Sequence, residues 1–465
     1  MGSRMKTPPT MPLLLYVVVA VIGLTVPEYS YSDHDVIQGS HQTVAFVQWT
    51  AVLLSVWMVA AYWWTETLHK AEERGPLTTD WKTHLAFGLI PIAVLAAWCR
   101  PLLSVDTFYY VAYGRQLAVL GLNPYEVNLF ASANDPIISQ IGKMWFHNIA
   151  FYGPIALSLY AVPSLIVSSP TLLGLAVTLK FLWLPFYGLL GRLLYRYWEG
   201  CPDRLSRTIA VLAGPNLIWY GLVDGHVDLL IVTGLVATAL LMKANRPALC
   251  ALTLSAAASI KIVGIICLPV CFFWWLKHSR VSALRFSLIF VVVYGGLYLV
   301  VGGGEYLAVV EFTKLWDNLV AASLVPKLVG LVTSDLGLVI KISNLTFYLG
   351  IALLCGLTWT GRFEQNPALV MGWAMGLLFL TRTYFQPWYT LWFWALLWIA
   401  APTRKDFKVQ YGLWSVTVIA AWLIPWEFKG YFVGSSALVG LIIAAKTAPT
   451  KPSTTPGGEP DRKQD

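Results

Sequence analysis

Asp106 stands two residues beyond Ser104 in SVDTFYYVAYGRQLAVLGLNPY, residues 104–125, where a long apolar run ends. Other ionisable groups interrupt apolar sequence farther on. They are Lys180; Asp224, His226 and Asp228 in DGHVD; Lys261 in SIKIVG; and Arg382 in TRTYFQPWYTLW, which also holds Gln386, Trp388 and Tyr389. A carboxylate at a water–lipid boundary can take a proton from a hydroxyl nucleophile as general base. Cations nearby can hold a phosphate leaving group and stabilise the charge that develops on it. Tyr109, Tyr110, Trp145, Trp388 and Tyr389 offer rings that stack on sugar faces. This mixture suits transfer of a sugar from a lipid phosphate, because such a donor parts readily from its anomeric carbon and needs no strong general acid. A divalent cation has a place beside Asp106 and Asp228, though nothing demands one.

Each residue also has an ordinary reading. A lone Asp after a span is commonly a helix-terminus feature, Trp388 and Tyr389 are ordinary belt residues, and Lys261 can snorkel. A single His is more often a hydrogen-bonded structural residue than a base. Ionisable groups in a membrane protein are nonetheless costly, so each is a functional candidate. Their convergence on one membrane face, after an independent charge count, favours the functional reading.

Composition sets the elements that must position them. Of the 465 residues 57 % are hydrophobic and 12 % charged, about half the charged share of a soluble domain. Several apolar runs approach the roughly 20 residues that cross hydrocarbon. The fold class is therefore all-α and polytopic. Spans are expected at 11–27, 44–64, 84–103, 171–191, 208–222, 227–243, 248–260, 262–276, 282–301, 345–360, 367–384, 386–400, 409–426 and 431–446, about 14 in all within a range of 11 to 14. The first has the flanks of a signal peptide but no small-residue cleavage site, so it is read as a span. With both termini cytoplasmic, 22 of the 32 Lys and Arg fall on the inner side, as the positive-inside rule asks. The stretch 155–169 is laid along the outer surface as an interfacial helix, because a span there would throw Arg192, Arg196, Arg204 and Arg207 outside.

The net charge of +8 is read as this loop bias and not as a nucleic-acid footprint. Cys99, Cys201, Cys250, Cys267, Cys271 and Cys355 show no metal-ligand spacing and are read as small apolar fillers. Residues 1–445 form one transmembrane domain with long outer loops at 104–170 and 302–344. The Pro-, Gly- and Thr-rich tail 446–465 is expected to be disordered and cytoplasmic. No internal repeat and no nucleotide-binding Gly-rich loop is present.

Five stretches in order, SVDTFYYVAYGRQLAVLGLNPY, MWFHNIAFYGPIALSLY, AGPNLIWYGLVDGHVDLLIV, AAASIKIVGIICLP and YFQPWYTLW, resemble the integral-membrane C-type glycosyltransferases (GT-C). The resemblance is to the bacterial polyprenol-phosphate-mannose-dependent alpha-1,6-mannosyltransferases and covers roughly residues 84–400. It implies a GT-C-like fold in which Asp106 is the general base and Lys261, with Arg382 and Lys180, binds the donor phosphate. Tyr110, Asn123, Tyr152, His226, Asp228, Gln386, Trp388 and Tyr389 are then the sugar and acceptor wall. Val227 stands where the relatives carry Asn, and Pro215-Asn216-Leu217 is a permuted form of their motif.

The function expected on these grounds is that of an inverting hexosyltransferase of the cell envelope. It moves a sugar, mannose before others, from a polyprenyl phosphate to a glycolipid or glycan acceptor on the outer face of the plasma membrane, with no required cofactor. The alternative is a transporter or flippase of a lipid-linked or small polar substrate. Such a protein keeps its ionisable residues near the bilayer midplane on broken helices, whereas here they gather at outer helix ends.

Overall fold

The computed structural model describes residues 41–73, 88–102, 104–302, 322–363, 366–382, 384, 386–401, 403–423 and 426–447. The expected span 11–27, part of the loop 302–344 and the tail beyond residue 447 lie outside the described residues. The described residues form helices and no strands. In chain order the α-helices are α1 His41–Glu73, α2 Ile90–Trp98, α3 Asp106–Ala118, α4 Pro154–Ile166, α5 Leu172–Phe181, α6 Leu184–Tyr197 and α7 Arg204–Leu212. There follow α8 Asp228–Lys243, α9 Pro247–Ile260, α10 Leu268–His278, α11 Arg280–Gly302, α12 Leu324–Gly330 and α13 Leu336–Trp359. The last four are α14 Pro367–Thr381, α15 Leu391–Ala400, α16 Arg404–Leu423 and α17 Trp426–Thr447.

By length and composition four helical stretches among the described residues can cross a membrane: Leu172–Tyr197, Arg280–Leu299, Leu336–Trp359 and Phe428–Lys446. They do not confirm the expected count of about 14. The apolar segments near 208–222, 227–243, 248–260, 262–276, 367–384 and 386–400 do contain helices, but these run from 9 to 16 residues. Local chemistry shortens them. Proline opens α9, α10 and α14, where its missing N–H costs nothing but no preceding turn can continue. A π-helical stretch, Asn216–Val223, follows α7, and a 3₁₀ stretch, Ile262–Cys267, separates α9 from α10.

Most of the segment 155–169 lies in α4, 13 residues long and too short to span. It crosses α3 at backbone contact. A Cβ on Gly114 of α3 would come within 1.9 Å of the Tyr160 carbonyl oxygen of α4. Gly114→Ala is therefore expected to push the two helices apart and lower the thermal midpoint, costing roughly 1–3 kcal/mol as core overpacking does. Gly188→Ala, with open space around its Cβ, serves as the control in the same melt. Equal midpoints for the two variants would refute the contact.

Charge joins α1, α7 and α16 at one end of the bundle. Glu66 accepts from Arg404 at 2.8 Å and from Lys408 at 2.7 Å. Glu72 accepts from the backbone N–H groups of Leu205 and Ser206 at 3.1 and 3.3 Å, satisfying donors that the first turn of α7 leaves open. Trp57 adds a hydrogen bond from α1 to the Ala213 carbonyl at 2.8 Å.

Candidate active site

Asp106 opens α3, and its backbone N–H donates to Ser104 Oγ at 3.2 Å. A carboxylate in a first turn meets the positive end of the helix. Tyr110, one turn later on the same face, reaches the same neighbour: His226 Nδ1 lies 3.6 Å from Asp106 Oδ2 and 3.4 Å from the Tyr110 hydroxyl. The His226 backbone is fixed by a bond from its N–H to Tyr220 O at 2.9 Å. The preceding Gly225 takes a φ of 69°, a left-handed conformation that glycine adopts without strain. Trp388 stacks on the imidazole with ring centroids 4.1 Å apart.

Asp228, the first residue of α8, accepts from two side chains on one oxygen. Lys261 Nζ lies 3.3 Å from Oδ1, and Trp392 Nε1 donates to the same atom at 2.5 Å. The Lys261 ammonium stands over Tyr389 at 4.4 Å and Trp392 at 5.0 Å, with Tyr152 at 6.0 Å, distances at which ring faces attract a cation. Lys261 is held there because α9 ends at it in extended conformation. Tyr152 in turn meets Tyr110 edge-on at 5.0 Å. Gly153 brings α4 against this end of α9: its N–H donates to Ile260 O at 2.9 Å, and a Cβ on it would meet Ser259 O at 2.2 Å.

Accessibility divides the cluster. The side chains of His226 and Asp228 are fully enclosed and that of Lys261 is 8 % exposed, whereas that of Asp106 is 21 % exposed. Burial pushes the Asp106 carboxyl up to about 7; Asp228 adds to the rise, and Lys261 opposes it. Burial, and after it Lys261, holds His226 well below the ordinary imidazole value. The arrangement thus offers one reachable carboxyl of near-neutral basicity, beside a neutral imidazole and a caged ammonium.

The structure brings together Asp106, Tyr110, Tyr152, His226, Asp228, Lys261, Trp388 and Tyr389 from the residues singled out in sequence. Gln386 is half-buried beside them, bonded to the Tyr384 hydroxyl. Three others are placed differently. Asn123 caps its own turn, donating to Glu126 at 2.6 Å and accepting from Tyr125 N–H at 3.1 Å. Arg382 follows α14, its guanidinium 5.8 Å from the Phe347 ring and its carbonyl taken by Ser323. Lys180 is wholly buried and donates to the carbonyls of Cys99 and Val223. Trp392 was missed, although it follows Tyr389 at the i, i+3 spacing of helix neighbours, and the two rings stack with centroids 4.4 Å apart. For a divalent ion, no group of three or more His, Cys, Asp or Glu among the described residues is arranged to hold one.

A family model described as alpha-(1->6)-mannopyranosyltransferase, N-terminal domain, matches residues 12–277. The chain belongs to that family. It is thus a membrane glycosyltransferase of mannosyltransferase type, acting between a sugar donor and an acceptor. The match includes Asp106, Lys180, His226, Asp228 and Lys261, while Gln386, Trp388, Tyr389 and Trp392 come from beyond it. It also begins well before the resemblance read at 84–400, so the segments preceding Asp106 belong to the family's own domain. No curated protein and no solved structure matches the chain.

Proposed function

We propose that this protein is an inverting alpha-1,6-mannosyltransferase that takes mannose from a polyprenyl phosphate on the outer face of the plasma membrane and passes it to a glycolipid or glycan hydroxyl. Both termini then lie in the cytoplasm. The observation that carries the reading is Asp106, the one partly exposed carboxylate in a cluster whose other charges are enclosed. Its carboxylate accepts the proton of the acceptor hydroxyl as that oxygen attacks the anomeric carbon. The bond from that carbon to the phosphate oxygen breaks, and the electron pair leaves with the lipid phosphate. Lys261 is the nearest cation to meet this charge, aided by the rings that fix its position. Trp388 and Tyr389 supply ring surface at the edge of the same site.

The test is transfer of label from polyprenyl-phosphate-mannose to an alpha-mannoside acceptor by the purified protein in detergent. Label moved from this donor and not from a nucleotide-mannose supports the reading; no transfer from any lipid-phosphate sugar to a range of acceptors sinks it. The same assay reads the base. Only ionised Asp106 accepts a proton, and burial sets its carboxyl at about 7. The value of kcat/KM should therefore rise about tenfold per pH unit below neutrality and level off above it. A profile with its acid limb near the ordinary carboxylate value would assign the base to a solvated group instead.

A further inference from the structure

Lys180 lies in a stretch long and apolar enough to span a membrane, and it is 0 % exposed. A cation in such a place is costly and marks a task. Its ammonium does not face the reacting cluster. It donates to Cys99 O, at the C-terminal end of α2, and to Val223 O at 2.9 Å, the last residue of the π-helical stretch. Helix-end carbonyls have no partner within their own helix and carry partial negative charge. A group with three donors and a positive charge is what lets two such ends be buried together.

The segments it joins are sewn together at further points. Asp224 Oδ1 accepts from Leu102 N–H at 2.9 Å, and Asp224 O accepts from the Thr107 hydroxyl. Trp183, three residues after Lys180, donates from Nε1 to Gly225 O at 2.8 Å. The fit leaves no slack: a Cβ on Gly225 would lie 2.6 Å from Lys180 Cγ and 2.9 Å from Thr107 Oγ1. One sewn segment, residues 99–102 and 104–107, carries Asp106 next to Thr107. The other, 223–228, carries His226 and Asp228.

We propose that Lys180, Thr107 and Asp224 are positioning residues, a buried knot that sets the Asp106 carboxylate in register with His226 and Asp228. The proposal rests on the reading of Asp106 as general base, and it gives Lys180 a role that its enclosure denies it as a phosphate contact. Thr107 provides the cleanest probe, because it is 0 % exposed and its hydroxyl donates to the Asp224 carbonyl, a contact that one oxygen makes or loses. Thr107→Val keeps the shape and removes the donor, whereas Thr107→Ser keeps the donor.

The experiment measures kcat and donor KM in the transfer assay for both Thr107 variants, Lys180→Met and Asp106→Asn, with the folded fraction read by size exclusion. A misplacement of the base on the ångström scale costs up to about a hundredfold. Thr107→Val should lose about tenfold to a hundredfold in kcat at unchanged donor KM, and Thr107→Ser should recover parental turnover. Lys180→Met should lose at least as much; if it does not fold, the Thr107 pair decides alone. Parental kcat in Thr107→Val, or equal loss in both Thr107 variants, overturns the knot and leaves the general-base reading standing if Asp106→Asn is inactive. An active Asp106→Asn overturns both.

Discussion

Asp106→Asn is expected to lower kcat by about 10³-fold, within the range that general-base catalysis supplies, while the protein stays folded. The substitution keeps the size of the side chain and its place in the first turn of α3, so the loss reports the proton acceptor and not the packing. Donor KM should change little, since the carboxylate stands on the acceptor side of the proposed reaction. Stability should move the other way. Burial raises the Asp106 carboxyl from its ordinary 3.8 to about 7, so ionising it in the folded protein opposes folding. That group's contribution is most favourable below about pH 4, is lost as pH rises through about 7, and stays lost above. The asparagine is never ionised, so its thermal midpoint relative to the parent should be higher at about pH 8 than at about pH 4. An inactive variant with no such pH-dependent gain would leave Asp106 important for some reason other than being a buried base. Retained activity would show that Asp106 is not the base.

Much of the cluster could be read from sequence because polar side chains in apolar surroundings announce themselves. Asp106 ends an apolar run, and Gly225, His226 and Asp228 interrupt another; each sits at a helix end where its backbone neighbours force a turn. What could not be read is direction. Lys180 and Lys261 look alike in sequence, each a lone lysine in apolar company. One points its ammonium at two helix-end carbonyls and the other at Asp228. Arg382 shares a stretch with Trp388 and Tyr389, yet α14 ends at Thr381, and the arginine turns toward Phe347 of α13. For a similar reason the described helices do not confirm the expected number of spans. Apolar residues continue across Pro247, Pro269 and the π-helical turn near Asn216, but the regular helix does not. Hydropathy measures what a segment dissolves in and says little about where its hydrogen-bond ladder breaks.

Lys261→Met is expected to damage both folding and transfer, and the two losses can be separated. In the parent, Asp228 Oδ1 faces the Lys261 ammonium at 3.3 Å with both side chains at most 8 % exposed. Removing one partner of such a pair leaves an uncompensated buried charge, which costs about 3–5 kcal/mol. The single variant should therefore melt well below the parent and transfer at least about a hundredfold less, the smaller end of what one positioned donor to a developing oxyanion provides. Adding Asp228→Asn removes the orphaned charge while keeping an oxygen to accept from Trp392 Nε1. The double variant should regain most of the lost thermal midpoint. Its activity decides what Lys261 does. If transfer stays low in a protein that melts normally while Asp228→Asn alone still transfers, the ammonium acts on the departing phosphate, and kcat/KM for the lipid donor should carry the loss. If transfer returns with stability, Lys261 serves only to neutralise Asp228, and the charge of the leaving phosphate must be met elsewhere.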